Sequence, residues 1–263
     1  MFANHILPAL GRMPLEGVER SHVVELHRTL SDRPASANRT VKILSHMYRL
    51  GAGWGLVPEG CNPCRSVEKY PERSRERFLT DAEFARLGRV LEETAESGTV
   101  SPLAAAAIRL LMLTGCRKSE ILTLRWLDVD LDAGEIHLAD AKSGPRAVQL
   151  PPTAVGLLEA LPRRKDSLWV FPGNDRDGRF SGSGLDHAWR TVRAVAGLED
   201  VRMHDLRHSF ASRALALGET LPVIGKLLGH SDIETTSRYA HLAQDSIHGT
   251  AERVAASIAG DIL

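Results

Sequence analysis

The sequence predicts a mainly α fold carrying a small antiparallel β-sheet. Apolar residues recur at helical spacing through most of the chain, whereas strand-like alternation is confined to one stretch near residues 135–150. Helix starts are marked by Ser/Thr-x-x-Glu boxes, and several stops are marked by glycine.

Taken in order, residues 18–30 and 37–56 have helical apolar spacing, and in the second Val41, Leu44, Met47 and Tyr48 share a face, with Arg39, Lys42 and Arg49 mostly off it. Residues 61–77, CNPCRSVEKYPERSRER, hold two prolines and many charges without apolar periodicity and read as a linker. Thr80 and Glu83 then form a capping box that opens a helix and a new domain. The expected division is a helical domain over 1–70, a linker at 71–77 and a second domain over 78–263. Ser101 and Pro102 start an apolar helix over 102–113, and a short helix follows Thr114-Gly115 over 118–124. Residues 135–139 and 147–150 read as the strands of a hairpin whose turn is Lys142-Ser-Gly-Pro-Arg146. Helices are expected over 185–195, over 203–217 with a stop at Gly218, and over 222–228 with a stop at Gly229. Ser231 and Glu234 cap a helix that carries Tyr239, and 251–258 form a last short helix.

Hydrophobic residues make up 43% of the 263 positions and charged residues 25%, enough apolar material for a core. No run approaches the roughly 18 apolar residues of a membrane span. No basic, apolar leader opens the chain, so no signal peptide is read. Three cysteines give no disulfide framework, which fits a reducing cytoplasm. Net charge is zero but unevenly spread: residues 1–77 carry 12 Lys and Arg against 8 Asp and Glu, a balance of +4, and the rest carry −4. For phosphate binding a local basic cluster matters more than the total.

Displacing one oxygen of a phosphodiester needs positive charge on the non-bridging oxygens, a nucleophile, and an acid for the leaving group. Arginine suits the first task because its guanidinium is planar, always charged and bidentate. Arg117 lies at a glycine-to-helix junction, and Arg207 stands three residues after His204, so those two share a helical face. Either arginine alone would be read as a surface ion-pair residue. Their company changes that. TGCRKSEIL, AKSGPRAVQLP, HDLRHSFASRAL and LLGHSDIETTSRYAHL occur in this order, with intervals that leave room for the intervening helices. Together they resemble the catalytic domain of the tyrosine recombinases of the phage-integrase family, over about residues 78–245. The segment SANRTVKILSHMYRLGAGWGLVPEGCNPC is similar to the end of that family's helical, SAM-like core-binding domain.

The resemblance implies a tyrosine-recombinase catalytic fold preceded by a partial core-binding domain. Arg117 and Arg207 match the phosphate-clamping arginines, and Lys142 matches the lysine that protonates the 5′ leaving oxygen. His204 matches the histidine that assists proton transfer, and His230 the position that hydrogen-bonds and packs at the phosphate. Tyr239 matches the nucleophile that forms a 3′-phosphotyrosine. Arg39, Lys42 and Arg49 are candidate DNA contacts. The implied partner is double-stranded DNA, gripped by a homotetramer. Ile247, Ala251, Val254 and Ile258 form the apolar stripe of a C-terminal helix expected to dock in trans. No cofactor or metal is implied, because two arginines and a lysine supply the charge. Prophage or mobile-element integration and excision is the first reading. A chromosome-dimer resolvase, a type IB topoisomerase or a DNA-binding remnant are the others. The N-terminal part is shorter than the family's usual one, which predicts weak, salt-sensitive DNA binding.

Other motifs read more plainly. His204 and His208 have the i, i+4 spacing of a zinc pair, but Arg207 between them would repel a cation, so His208 reads as support for the site or local packing. Cys61 and Cys64 have CxxC spacing without a second ligand pair. The glycine-rich run 178–184 lacks the Lys-Ser/Thr ending of a P-loop. Tyr48 and Tyr70 lack the basic and histidine company a nucleophile needs.

Overall fold

A computed structural model describes residues 1–72, 76–139, 144–173 and 178–230, together with Thr236 and Tyr239. The chain divides into two compact units, Met1–Arg75 and Glu76–Leu263.

In the first unit, short helical turns at Phe2–Ile6, α1 (Leu7–Leu10) and Leu15–Gly17 precede α2 (Arg20–Arg28) and α3 (Pro34–Gly53). Pro34 sits in the first turn of α3, where its missing N–H costs nothing. Val23 and Leu26 of α2 meet Val41, Leu44 and Tyr48 of α3 in one core with Ile6, Leu10, Val57, Cys64 and Val67. The N-terminal turns are too short for apolar periodicity to announce them, and the sequence predicts only the two longer helices.

The first part of the expected linker is anchored to the unit's core. Cys64 and Val67 belong to the core, and the buried Asn38 of α3 fixes the segment after them. Its amide donates to the Tyr70 carbonyl at 2.8 Å and to Glu72 at 2.6 Å, and its oxygen accepts from the Tyr70 N–H at 3.0 Å. His27 lies 3.0 Å from that oxygen and stacks on the Tyr70 ring at 4.2 Å. One buried amide thus satisfies extended backbone that no hydrophobic pattern would reveal.

The second unit opens on Arg77, which binds Glu83 at 2.6 Å and Asp200 at 2.7 Å. Those bonds hold the Glu83 carboxyl down to about 2. Glu83 also closes the expected capping box with Thr80 at the start of α4 (Asp81–Glu96). Next come α5 (Pro102–Thr114), capped by Ser101, and α6 (Lys118–Leu122). The sheet has three antiparallel strands, β1 (Val129–Asp130), β2 (Glu135–Leu138) and β3 (Arg146–Gln149), where the sequence predicts two. Ile136 pairs with Val148, and both are buried while their strand neighbours are more open. α7 (Pro152–Glu159), not anticipated, starts on the second of two prolines. α8 (Gly182–Val195), α9 (Met203–Ala216) and α10 (Leu221–Leu228) complete the described helices. α5 is central: it packs against α4, α6, α8 and α9, and the small residues Ala104 to Ala107 are all buried. The helix expected around Tyr239, apart from Thr236 and Tyr239, and the one expected over 251–258 lie outside the described residues. No helix among the described residues is long and apolar enough to cross a membrane.

Candidate active site

Two guanidinium groups bind one carboxylate, and a third lies close enough to feel its charge. Gly115 ends α5 with φ +62°, the left-handed geometry that favours glycine. A Cβ there would also meet the Phe210 ring and Leu228. That turn delivers Arg117 as the cap residue of α6, where its N–H donates to Glu120 at 2.8 Å and its guanidinium donates to the same carboxylate at 2.7 Å. Arg146, the first residue of β3, donates to Glu120 at 2.9 Å and to the Leu227 carbonyl at 3.1 Å. Its Nε is buried with no hydrogen-bond partner among the described residues. Arg207, on α9, donates to the carbonyls of Gly115 and Leu228, both at 2.6 Å.

Burial first, and then the nearby charge of Arg117, push the Arg207 guanidinium down to about 10, still charged at neutral pH. Burial would raise Glu120. The Arg117 N–H, the Arg146 charge and the Arg117 side chain outweigh it and hold that carboxyl below its usual range. Three cations, two of them bound to the single carboxylate, leave excess positive charge where little water screens it, a setting that favours a phosphate. Arg117 opens on a cleft of about 490 Å³ with Arg125, Arg179 and Trp169. Arg207 and His204 open on a second cleft, of about 270 Å³, with Cys116 and Lys118.

A row of histidines continues along α9. His204 meets His208 edge to face with ring centroids 4.7 Å apart. His208 Nδ1 lies 2.6 Å from the Tyr239 hydroxyl. Tyr239 is only 2% exposed and belongs to an apolar cluster with Ala211, Leu215, Ile224 and Leu228. His230, just past the left-handed Gly229, bonds the Thr236 hydroxyl at 2.8 Å. The Thr236 carbonyl in turn accepts the Tyr239 N–H at 3.0 Å, so His230 is linked to the turn that carries Tyr239.

The structure therefore joins Arg117 to Arg207 through Glu120, Arg146 and Gly115, and Tyr239 to the α9 histidines. Lys142 lies outside the described residues. His208, one turn after His204 on the same face, is a further residue that the structure brings to the Tyr239 hydroxyl. Sequence reasoning misses Glu120 and Arg146 as site residues. The capping-box spacing of Glu120 to Arg117 is one signal that could have found them, and the position of Arg146 at the end of the hairpin turn is another.

In the first unit, Arg39, Lys42 and Arg49 are exposed along one face of α3, opposite the buried Val41, Leu44 and Tyr48. His46 lies on the same exposed face and contacts Arg49 at 2.6 Å. Among the described residues no group of three or more His, Cys, Asp or Glu side chains is arranged to hold a metal ion. Cys61 is exposed and Cys64 buried.

The second unit is helical and carries an arginine cluster, a histidine row and a buried tyrosine, and comparison with known proteins gives the family. Residues 77–246 match the phage integrase family, to which this chain belongs. It is 32% identical over 204 residues to a shufflon-specific DNA recombinase of Escherichia coli, spanning 76% of this chain but only 49% of that protein. It is 32% identical over 227 residues to the tyrosine recombinase XerD of Rhizobium meliloti, covering 82% of this chain and 73% of XerD. The fold is that of the Tn1549 transposon integrase solved with circular-intermediate DNA, with a TM-score of 0.73 at 18% identity over 93% of this chain and 88% of that one. It is also that of the lambda integrase dimer bound to a core site, with a TM-score of 0.69 at 20% identity over 90% and 84%.

Proposed function

We propose that this chain is a site-specific recombinase that cuts and rejoins DNA through a 3′-phosphotyrosine at Tyr239, in integration or excision of a prophage or other mobile element. The observation that carries this reading is the charge cluster of Arg117, Arg146 and Arg207 in the same unit as a tyrosine hydrogen-bonded to the residue after Arg207. Arg117 and Arg207 stabilise the negative charge that builds on the phosphate oxygens. Tyr239 attacks phosphorus, the 5′ oxygen leaves with a proton from Lys142, and His230 steadies the turn that carries Tyr239. One phosphodiester is exchanged for a phosphotyrosyl ester of similar energy, so no nucleotide cofactor is needed, and the guanidinium charge takes the part a metal would otherwise play.

Double-stranded DNA is the partner in this reading. Domain 1–70 acts as the core-binding module through Arg39, Lys42 and Arg49, residues 71–77 join the modules, and 78–263 carry the chemistry. Lambda integrase has been solved as a tetramer on a Holliday junction, and a homotetramer linked through the C-terminal stripe of Ile247, Ala251, Val254 and Ile258 is the assembly proposed here. The cytoplasm, which holds bacterial DNA, is the proposed compartment.

Nicked suicide duplexes with a randomised recognition segment test the chemistry. The wild-type chain is expected to leave a denaturant-resistant protein–DNA adduct on a defined subset of sequences, and Tyr239→Phe none. Adducts with Tyr239→Phe, or none with the wild type, would overturn the reading. The likeness to XerD supports a second role within the family, a resolvase of replicon dimers. Recombination between two directly repeated sites but not between separate molecules would favour it.

A further inference from the structure

We infer that His208 is a catalytic residue: it accepts the Tyr239 proton during strand cleavage and returns it during rejoining. This rests on the recombinase reading above and assigns the proton's destination. Three observations carry it. The 2.6 Å contact places His208 Nδ1 within hydrogen-bond reach of the atom that must lose a proton. A tyrosine hydroxyl, with a reference pKa near 10, is a poor nucleophile at neutral pH unless a base takes its proton. Finally, Tyr239 is buried in an apolar cluster, where a bare phenolate would be costly and a neighbouring imidazolium would offset it.

The proposed transfer requires one tautomer. For the hydroxyl to donate, Nδ1 must be the unprotonated nitrogen, so the neutral His208 ring carries its proton on Nε2. The step balances. The O–H bond of Tyr239 breaks as the N–H bond forms on His208, the tyrosine oxygen bonds to phosphorus, and the phosphorus–O5′ bond breaks as the leaving oxygen takes a proton from the general acid. In the reverse step the 5′ hydroxyl returns its proton to the general acid as its oxygen bonds to phosphorus, and Tyr239 leaves as its oxygen recovers the proton from imidazolium. His204, edge-on to His208 and lining a cleft with Arg207, is placed to steady the charged ring.

The test uses the full chain and the duplex enriched from the randomised suicide pool. His208→Ala and His208→Asn are compared with wild type in single-turnover cleavage, with tyrosine or difluorotyrosine at position 239. Asparagine keeps a hydrogen-bond acceptor near Nδ1 without its basicity, so it carries the test if the alanine variant does not fold. Ring fluorination acidifies the phenol and lessens its need for a base. Both variants are expected to cleave at least about 100-fold more slowly with DNA affinity retained. Difluorotyrosine is expected to restore most of that loss. A His208→Asn variant at the wild-type rate, or a defect that difluorotyrosine leaves unchanged, would overturn this assignment alone. A wild-type chain that forms no adduct would overturn the recombinase reading and this one together.

Discussion

Arg146 donates to Glu120 at 2.9 Å across 26 residues of sequence, and both side chains are nearly out of water, at 10% and 7% exposure. The bond joins the strand that leaves the hairpin turn to the helix that presents Arg117. Glu120→Ala strands the Arg146 guanidinium and releases Arg117 at once. Breaking a buried pair by removing one partner costs about 3–5 kcal/mol. Denaturant unfolding is expected to show that loss. Asp186→Ala, which removes the open pair with Lys118, is expected to change stability by less than about 1 kcal/mol. Equal effects from the two substitutions would contradict the structural role given to Glu120.

Acid should weaken the second unit through Glu83 and Glu120. Both carboxyls are depressed in the folded protein, Glu83 to about 2 by Arg77. A glutamate in the unfolded chain titrates near about 4.3. A depressed carboxyl contributes stability that is fully present above the unfolded value and is lost as pH falls through the folded one. Unfolding free energy is therefore expected to fall between about pH 4.3 and the folded values, for Glu83 about 2. In Glu83→Gln the fall across that window should be shallower. A variant with an unchanged acid profile would remove Glu83 from the account.

How much of the fold and site is legible in the sequence depends on the kind of contact. Arg117, Arg207 and Tyr239 stand in short motifs, so the sequence singles them out. The long amphipathic helices are legible as well, because α3 and α8 repeat their apolar residues at a fixed period. Contacts that close over long sequence distances leave no such trace. Arg146 meets Leu227 and Asn38 holds Tyr70, and neither pair shares a period or motif. His204 and His208 stand on one helical face, and only the placement of Tyr239 shows that the hydroxyl reaches His208.

Two glycine substitutions should move stability in opposite directions. Gly229 ends α10 at φ +64°, and a Cβ there would collide with the Arg146 side chain. Gly229→Ala is expected to destabilise by more than about 1 kcal/mol, from the unfavourable backbone and the displaced arginine together. Gly88 lies inside α4, and a Cβ there would meet no atom within 4 Å. Gly88→Ala is expected to stabilise by roughly 0.5–1 kcal/mol. Thermal midpoints of the two variants check the pair, and a Gly229→Ala chain as stable as wild type would show that Arg146 can yield.

Arg117→Ala and Arg207→Ala should slow cleavage far more than they weaken DNA binding, because their charge counts most as the phosphate gains charge in the transition state. The expected loss is about 3 kcal/mol or more in the cleavage barrier for each. Cleavage by the wild type should also persist in a chelator, since the charge on phosphate comes from side chains. Activity lost in chelator and restored by magnesium would sink that part, and equal losses of rate and affinity would make the arginines positional.

The exposed face of α3 gives the last expectation. Arg39, Lys42 and Arg49 point away from the unit's core, and the same helix buries Val41, Leu44 and Tyr48, so changing the three basic residues leaves the packing intact. If each neutralises one phosphate, each adds about 0.9 to the magnitude of the log–log dependence of duplex affinity on salt. Substituting them with alanine one at a time should lower that slope stepwise by about this amount and weaken binding to different sequences alike, since phosphate contacts carry no base information. The measurement is a salt titration of affinity for the enriched duplex and for an unrelated one. A slope unchanged by all three substitutions would place the DNA on another face of the first unit, and a loss confined to the enriched duplex would mean that α3 reads bases.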